Sequence, residues 1–226
     1  MSTDVNFSPK PVIISDIRSP NNVPNSSLTR VFDITLILLA SPYILFFFVL
    51  ISILIMLDSR GGPFYRQTRI GRGGRRFQAL KFRTMVLDAD QILQRYLDES
   101  PDLKAEWLAT HKLKRDPRVT RIGAILRKLS LDEMPQFWNI LIGDMSLIGP
   151  RPIVDAEIER YGKCFELYIQ ARPGLTGLWQ VSGRSDTSYQ RRVELDEYYL
   201  LNRNIKLDLI ILLKTVYVVL GRKGAY

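Results

Sequence analysis

Val31–Leu57 reads VFDITLILLASPYILFFFVLISILIML, a run in which only Asp33, Thr35, Ser41, Pro42 and Ser52 are not apolar. From Ile34 onward it carries no charge. A buried helix of a soluble domain rarely needs more than about 14 such residues, whereas the hydrocarbon core of a bilayer needs about 20. The length predicts a membrane segment. A secretory leader does not fit, because its apolar region runs to about 7–15 residues and ends in a small-residue cleavage site, which this stretch lacks.

The flanks bear on how that segment sits. Arg18 and Arg30 precede it, and Arg60, Arg66, Arg69, Arg72, Arg75 and Arg76 follow it. Basic residues near the ends of a span favour the cytoplasm, so both ends ask for the same side. Ser41-Pro42 interrupts the run, and proline removes a helical hydrogen bond while its ring clashes with the preceding turn. At about 1.5 Å per residue the two limbs measure roughly 15 and 24 Å, each short of a ~30 Å core. A helix broken at Ser41-Pro42 enters and leaves by one face, with Ser41 helping to satisfy the freed backbone groups. A plain spanning helix with a proline kink is the alternative, and on the residues alone the two stand level. Residues 1–30 hold six Ser, four Asn and four Pro without periodicity, which predicts a disordered polar tail.

The 226 residues leave room for one ordinary domain, here 58–226. His111 and Cys164 are the sole histidine and cysteine. That excludes Cys/His zinc sites, disulfide frameworks and Cys–His proteolysis, and leaves polar chemistry to carboxylates, Arg/Lys, hydroxyls and an imported metal ion. The net charge of +9 calls for an anionic partner: nucleic acid, a phosphate ligand or a membrane surface. Residues 1–57 contribute none of it, three Lys/Arg facing three Asp.

Between Arg60 and Arg83 lie eight basic residues and no acidic one. Phe64-Tyr65 and Phe77–Phe82 read as short strands about a turn at Gly73-Gly74. Such a hairpin suits a polybasic lipid-binding patch, or places Lys81 and Arg83 to coordinate a phosphate-bearing substrate. Gly71, Gly73 and Gly74 lack the GK[ST] ending of a P-loop. Residues 88–115 read as helical with a break at Pro101, and His111 in that region reads as a surface or cap residue.

The chemistry concentrates at the centre. A basic helix, Ile122–Leu129, leads into Ser130-Leu131-Asp132-Glu133-Met134-Pro135-Gln136. Ser130 and Glu133 fit a helix capping box, which accounts for one carboxylate without mechanism. The second carboxylate, and the nearby Gly149-Pro150-Arg151-Pro152, fit phosphoryl transfer: a nucleophile, a magnesium-binding acid and arginines that spread charge.

Lys81-Phe82-Arg83-Thr84-Met85, Leu131–Gln136, Gly143–Pro152 and Arg172–Arg184 resemble, in order and spacing, the motifs of the bacterial sugar transferases, the monotopic phosphoglycosyl transferases. The resemblance covers about residues 30–226, and larger members add an N-terminal polytopic region. It implies transfer of a sugar 1-phosphate from a UDP-sugar to undecaprenyl phosphate with release of UMP, the opening membrane step of exopolysaccharide or other surface glycan assembly. By the same resemblance Asp132 is the nucleophile that forms an aspartyl phosphosugar, and Glu133 is a base or, with Asp132, a ligand to Mg2+. Lys81, Arg127, Arg151 and Arg184 are implied to contact substrate. The membrane element is implied to be re-entrant and broken at Ser41-Pro42.

The implied fold is α+β and mainly helical: a re-entrant helix over 31–57, and a cytoplasm-facing catalytic domain with a small β-hairpin and interfacial amphipathic helices. The run Leu207–Leu220, interrupted by Asp208 and Lys214, suits an interfacial helix, with a core helix as the alternative. The Trp179–Arg184 wording and the terminal Gly224-Ala225-Tyr226 resemble members using hexoses, galactose before glucose, with an acetamido or amino sugar as the alternative. Expected partners are UDP-sugar, undecaprenyl phosphate and bacterial inner-membrane lipid, with downstream glycosyltransferases and a second copy of the chain as candidates. Nucleic acid is not expected, because aromatics are not interleaved with the basic stretch. A reading from another class is a non-catalytic membrane-anchored adaptor.

Overall fold

The computed structural model describes residues 27–110, 113, 116–183 and 187–221. Their elements follow in order as α1 (Ser27–Asp58), β1 (Phe64–Ile70), β2 (Arg76–Phe82), α2 (Ala89–Glu99), α3 (Pro101–Thr110), α4 (Arg121–Leu129), a 3-10 turn (Leu131–Glu133), α5 (Gln136–Ile142), β3 (Ser146–Ile148), α6 (Ile158–Tyr161), α7 (Cys164–Tyr168), β4 (Gly174–Thr176), α8 (Tyr189–Asn202) and α9 (Ile205–Leu220). The chain is thus mainly helical with little sheet, as its sequence implies. Most of the expected tail, residues 1–26, lies outside the described residues, and Ser27–Arg30 already belong to α1.

Helix α1 continues through Ser41-Pro42, so the expected break does not end it. Pro42 has no N–H to give the Leu38 carbonyl, and the Ser41 hydroxyl donates to that carbonyl at 2.7 Å. The orphaned acceptor is satisfied one residue away, which lets the helix persist.

Both limbs of α1 are fastened to the same folded body. Near its start Arg30 donates to the carbonyls of Ile140 and Leu141 at the end of α5. Buried Asp33 accepts from the Ser146 hydroxyl at 2.8 Å and the Leu147 N–H at 3.1 Å. Ile37 enters the largest core, with Ile140, Met145, Trp179, Tyr199 and Ile211. Near the end of α1, Ile51 and Ile55 pack with Phe82 and Leu126. Asp58 accepts from the Ile122 N–H at 2.9 Å at the start of α4.

Between these anchorages α1 is bare. Fourteen of its large apolar side chains are exposed, Leu39, Tyr43 and Phe46 among them. A side chain of this size gains about 1.5–3 kcal/mol on full burial, so leaving fourteen of them partly in water forgoes a sum comparable to the whole stability of a domain. A hydrocarbon surround removes that cost.

β1 and β2 pair antiparallel from Phe64 opposite Phe82 to Ile70 opposite Arg76. The hairpin is longer than expected because β1 runs on to Ile70, while its turn falls at Gly73 and Gly74, whose φ values of 68° and 73° favour glycine. Asn139 on α5 extends this sheet with its side chain: Oδ1 accepts from the Leu80 N–H at 2.9 Å and Nδ2 donates to the Gln78 carbonyl at 2.8 Å.

A second, parallel pair joins β3 to β4, Ser146 opposite Gly174 and Ile148 opposite Thr176. The backbones of Gly149 and Gly174 pass so closely that a Cβ on Gly174 would lie 2.1 Å from the Gly149 nitrogen. That crossing brings the loop carrying Arg151 against the segment that leads to Trp179.

Candidate functional site

Asp132 and Glu133 sit on the 3-10 turn between α4 and α5. Thr120 caps the start of α4 by accepting from the Gly123 N–H, and the helix ends at Ser130. Ser130 holds φ 56°, the one positive φ outside glycine among the described residues. A left-handed residue of this kind costs about 1–3 kcal/mol and tends to occur at functional sites. Here it turns the chain sharply into the acid pair. The capping box that Ser130 and Glu133 could have formed is absent: Ser130 makes no side-chain cap, and Glu133 points elsewhere.

Glu133 Oε1 accepts from Lys81 Nζ at 2.8 Å and from Arg151 Nη2 at 3.2 Å. Burial by itself would raise this carboxyl, but the charges and hydrogen bonds of Arg151 and Lys81 outweigh it and hold the group at about 2. Asp132 moves the other way. Its burial, and then the Glu133 charge, push it above its ordinary value against the pull of Lys81, Arg127 and Arg151. The Asp132 carboxylate accepts no hydrogen bond among the described residues, and it faces a cleft. One carboxylate is locked and anionic; its neighbour is unsecured and open to a reactant.

The cleft has a volume of about 1300 Å3 and is two-natured. Its lining includes Asp132, Glu133, Lys81, Arg127 and Arg151, and also Leu36, Ala40 and Ile44 of α1 with Leu212 and Val216 of α9. Charged head and apolar tail of one amphiphile would both find matching walls. α9 turns Leu207 and Ile211 inward and leaves Leu209, Leu213 and Tyr217 exposed.

Of the residues singled out from sequence, Lys81, Arg127, Arg151, Asp132 and Glu133 come together around this cleft. Arg127 is steadied by Nε donating to Thr84 Oγ1 at 2.9 Å. Arg83 departs from expectation. Although it borders the cleft, its buried guanidinium donates to the carbonyls of Ser59 at 2.8 Å and Arg60, and to the Ser59 hydroxyl at 3.0 Å. In a hairpin that turns back along α1, a fixed fork at this position is spent on the chain leaving that helix. Arg184, His111 and Gly224-Ala225-Tyr226 lie outside the described residues. Cys164 is buried in a small core with Tyr161 and Tyr168, away from the acids.

Arg69 and Arg192 escaped sequence reading, as did the part that Trp179 plays. Arg69 donates to the Pro152 carbonyl at 2.9 Å and so braces the Arg151 loop. Trp179 carries two guanidinium groups on its ring, Arg192 at 4.6 Å and Arg151 at 5.9 Å from the centroid. Arg69 was one of eight similar charges in its run, and Arg192 one of an undistinguished pair; nothing local marks either.

No group of three or more His, Cys, Asp or Glu gathers among the described residues. Magnesium does not require one, since it is commonly held by one or two carboxylates together with substrate phosphates and water. The adjacent acids fit that demand: Asp132 is unbonded, and both of the hydrogen bonds to Glu133 fall on Oε1.

The family model described as bacterial sugar transferase matches residues 24–222. The chain is 48% identical over 200 residues to exopolysaccharide production protein ExoY of Rhizobium meliloti, covering 87% of each. It is 46% identical over 213 residues to the UDP-galactose-lipid carrier transferase of Erwinia amylovora, and 44% identical over 218 residues to the undecaprenyl-phosphate galactose phosphotransferase of Salmonella typhimurium. Those two alignments cover 93% of this chain and 44% of the longer relative in each case.

Proposed function

The chain belongs to the bacterial sugar transferase family, and from that premise we propose that it transfers hexose 1-phosphate from a UDP-sugar to undecaprenyl phosphate. The observation that carries this reading is the pair of unlike carboxylates: Asp132 unbonded at the cleft, Glu133 clamped between Lys81 and Arg151.

An oxygen of Asp132 attacks the β-phosphorus of the UDP-sugar. The bond from that phosphorus to the bridging oxygen breaks, UMP leaves with the electron pair, and an aspartyl phosphosugar remains. An oxygen of the lipid phosphate then attacks the same phosphorus and returns Asp132 as a carboxylate. Lys81 and Arg151, fixed by Glu133, spread the phosphate charge, and Arg127 adds to it. Magnesium, held by Asp132 and Glu133 with the substrate diphosphate, supplies further positive charge at the leaving group when bound. Galactose is the favoured sugar and glucose the next, in keeping with the names of two of the relatives.

The membrane arrangement follows from where α1 is tied. A spanning helix would put its two ends on opposite faces of the bilayer, whereas Arg30 and Asp33 at one end of α1 and Asp58 at the other are all bonded to a single folded body. Re-entry, with the catalytic domain on the cytoplasmic face of the bacterial inner membrane and α9 at the interface, satisfies both anchorages and the basic flanks.

The test is UMP release. Membranes holding the chain, supplied with UDP-galactose, magnesium and undecaprenyl phosphate, release UMP, and Asp132→Asn abolishes it. Release that survives in Asp132→Asn removes the nucleophile from the scheme. No release with any UDP-sugar favours a membrane-anchored adaptor.

A further inference from the structure

We propose that Arg192 is a phosphate-binding residue of the cleft, contributing a guanidinium fork to a phosphate oxygen of one of the two substrates; the assignment rests on the reaction proposed above. Arg192 borders the same cleft as Asp132 and Glu133. Its Nε donates to the Thr187 carbonyl at 3.0 Å, and its guanidinium lies over the Trp179 ring. The remaining N–H groups, Nη1 and Nη2, have no hydrogen-bond partner among the described residues, and no carboxylate pairs with them there.

Most of the other cations of the cleft are committed. Lys81 and Arg151 bind Glu133. Arg118 pairs with Asp116 at 2.7 Å, and Arg83 is held by carbonyls. Arg127 is bonded to Thr84 and faces Asp132. Arg192, like Arg127, is held through Nε with both Nη groups open, and of the two it is the one stacked on an aromatic ring. Its charge also shares one indole with that of Arg151, an arrangement of like charges that an anion between or beside them relieves. A planar guanidinium with two free N–H2 groups matches a phosphate geometrically, and the stack on Trp179 pre-organises it, so little freedom is lost on binding. The phosphate can belong to the nucleotide or to the lipid acceptor; the chemistry that recognises it is the same.

The experiment measures the Kd of UMP, and separately of a short-chain polyprenyl phosphate, on the full chain in detergent, for the wild type, Arg192→Gln and Arg192→Lys. Arg192→Gln is expected to weaken one of the two ligands by about tenfold, the scale of one charge-assisted hydrogen bond. A loss confined to UMP assigns the fork to the nucleotide; a loss confined to the polyprenyl phosphate assigns it to the lipid. Arg192→Lys keeps the charge but loses the fork and the Nε bond to Thr187, so an affinity between those of the wild type and Arg192→Gln marks a phosphate contact. Unchanged affinity for both ligands in Arg192→Gln overturns the proposal, as does an Arg192→Lys protein as impaired as Arg192→Gln, which would mark a structural role for the Thr187 and Trp179 contacts. Normal phosphate binding with its dependence on Arg192, but no sugar-phosphate turnover by the wild type, would count against the reaction and not against Arg192.

Discussion

At Asp132 and Glu133 two chemically similar groups, adjacent in the chain, receive opposite surroundings. Glu133 is anionic at any working pH because Lys81 and Arg151 hold it near 2, so it serves as the fixed counter-charge that orients both cations. Glu133→Gln should therefore do more than remove an acid: it frees Lys81 and Arg151, and turnover is expected to fall by about a hundredfold or more in the UMP-release assay. In the proposed scheme Asp132 has to be ionised to attack, and its value is raised. The rate of the first half-reaction should accordingly drop on acidification at a pH above the ordinary aspartate range, a shift read from the acid limb of the pH–rate profile. Asp196 gives a prediction about stability. It is wholly buried, Tyr161 donates to it at 2.8 Å, and burial pushes its carboxyl up to about 8. Between its unfolded value of 3.8 and about 8 the folded chain holds a proton that the unfolded chain has lost, so stability declines as pH rises through that window. Asp196→Asn should flatten the decline, measured as Tm against pH. The acids and Arg151 were legible in sequence because they sit in short distinctive motifs; Arg69 and Arg192 were not, because their roles depend on a contact across 83 residues of chain in one case and on a shared ring in the other.

Among the elements, those with a strong local signal were readable and those assembled from distant chain were not. The apolar run gave α1, the paired glycines gave the hairpin turn, and Pro101 opens α3 where a break was expected. β3 and β4 are three residues each, pair in parallel and are separated by 25 residues, from Ile148 to Gly174, so no short-range pattern announces them. Asn139 illustrates the same limit. It reads as an ordinary helical residue, yet its amide completes the free edge of β2 and thereby holds the strand that carries Lys81. Asn139→Leu should leave two partly buried backbone groups without this partner, costing about 1–3 kcal/mol and lowering Tm by several degrees, with activity falling alongside as Lys81 shifts. Ser41 stands in a similar relation to Pro42, answering the one carbonyl that the proline leaves open.

For the molecule as a whole, the average composition conceals three unlike parts, and the +9 charge lies entirely beyond Leu57. In the proposed re-entrant arrangement the basic hairpin, the bare middle of α1 and the outer face of α9 all meet one leaflet. Topology can be checked with single cysteines placed at Lys10 and Tyr65, since the native Cys164 is buried. Re-entry expects an impermeant reagent to label both from the cytoplasmic side; labelling of only one identifies a true span.

The most direct test of the covalent scheme is the intact mass of the purified chain after incubation with UDP-galactose and magnesium in the absence of lipid acceptor. The expected result is a gain of one hexose phosphate, localised to Asp132, that vanishes when undecaprenyl phosphate is added and never forms in Asp132→Asn. An active protein that acquires no adduct, or an adduct that persists in Asp132→Asn, would contradict it.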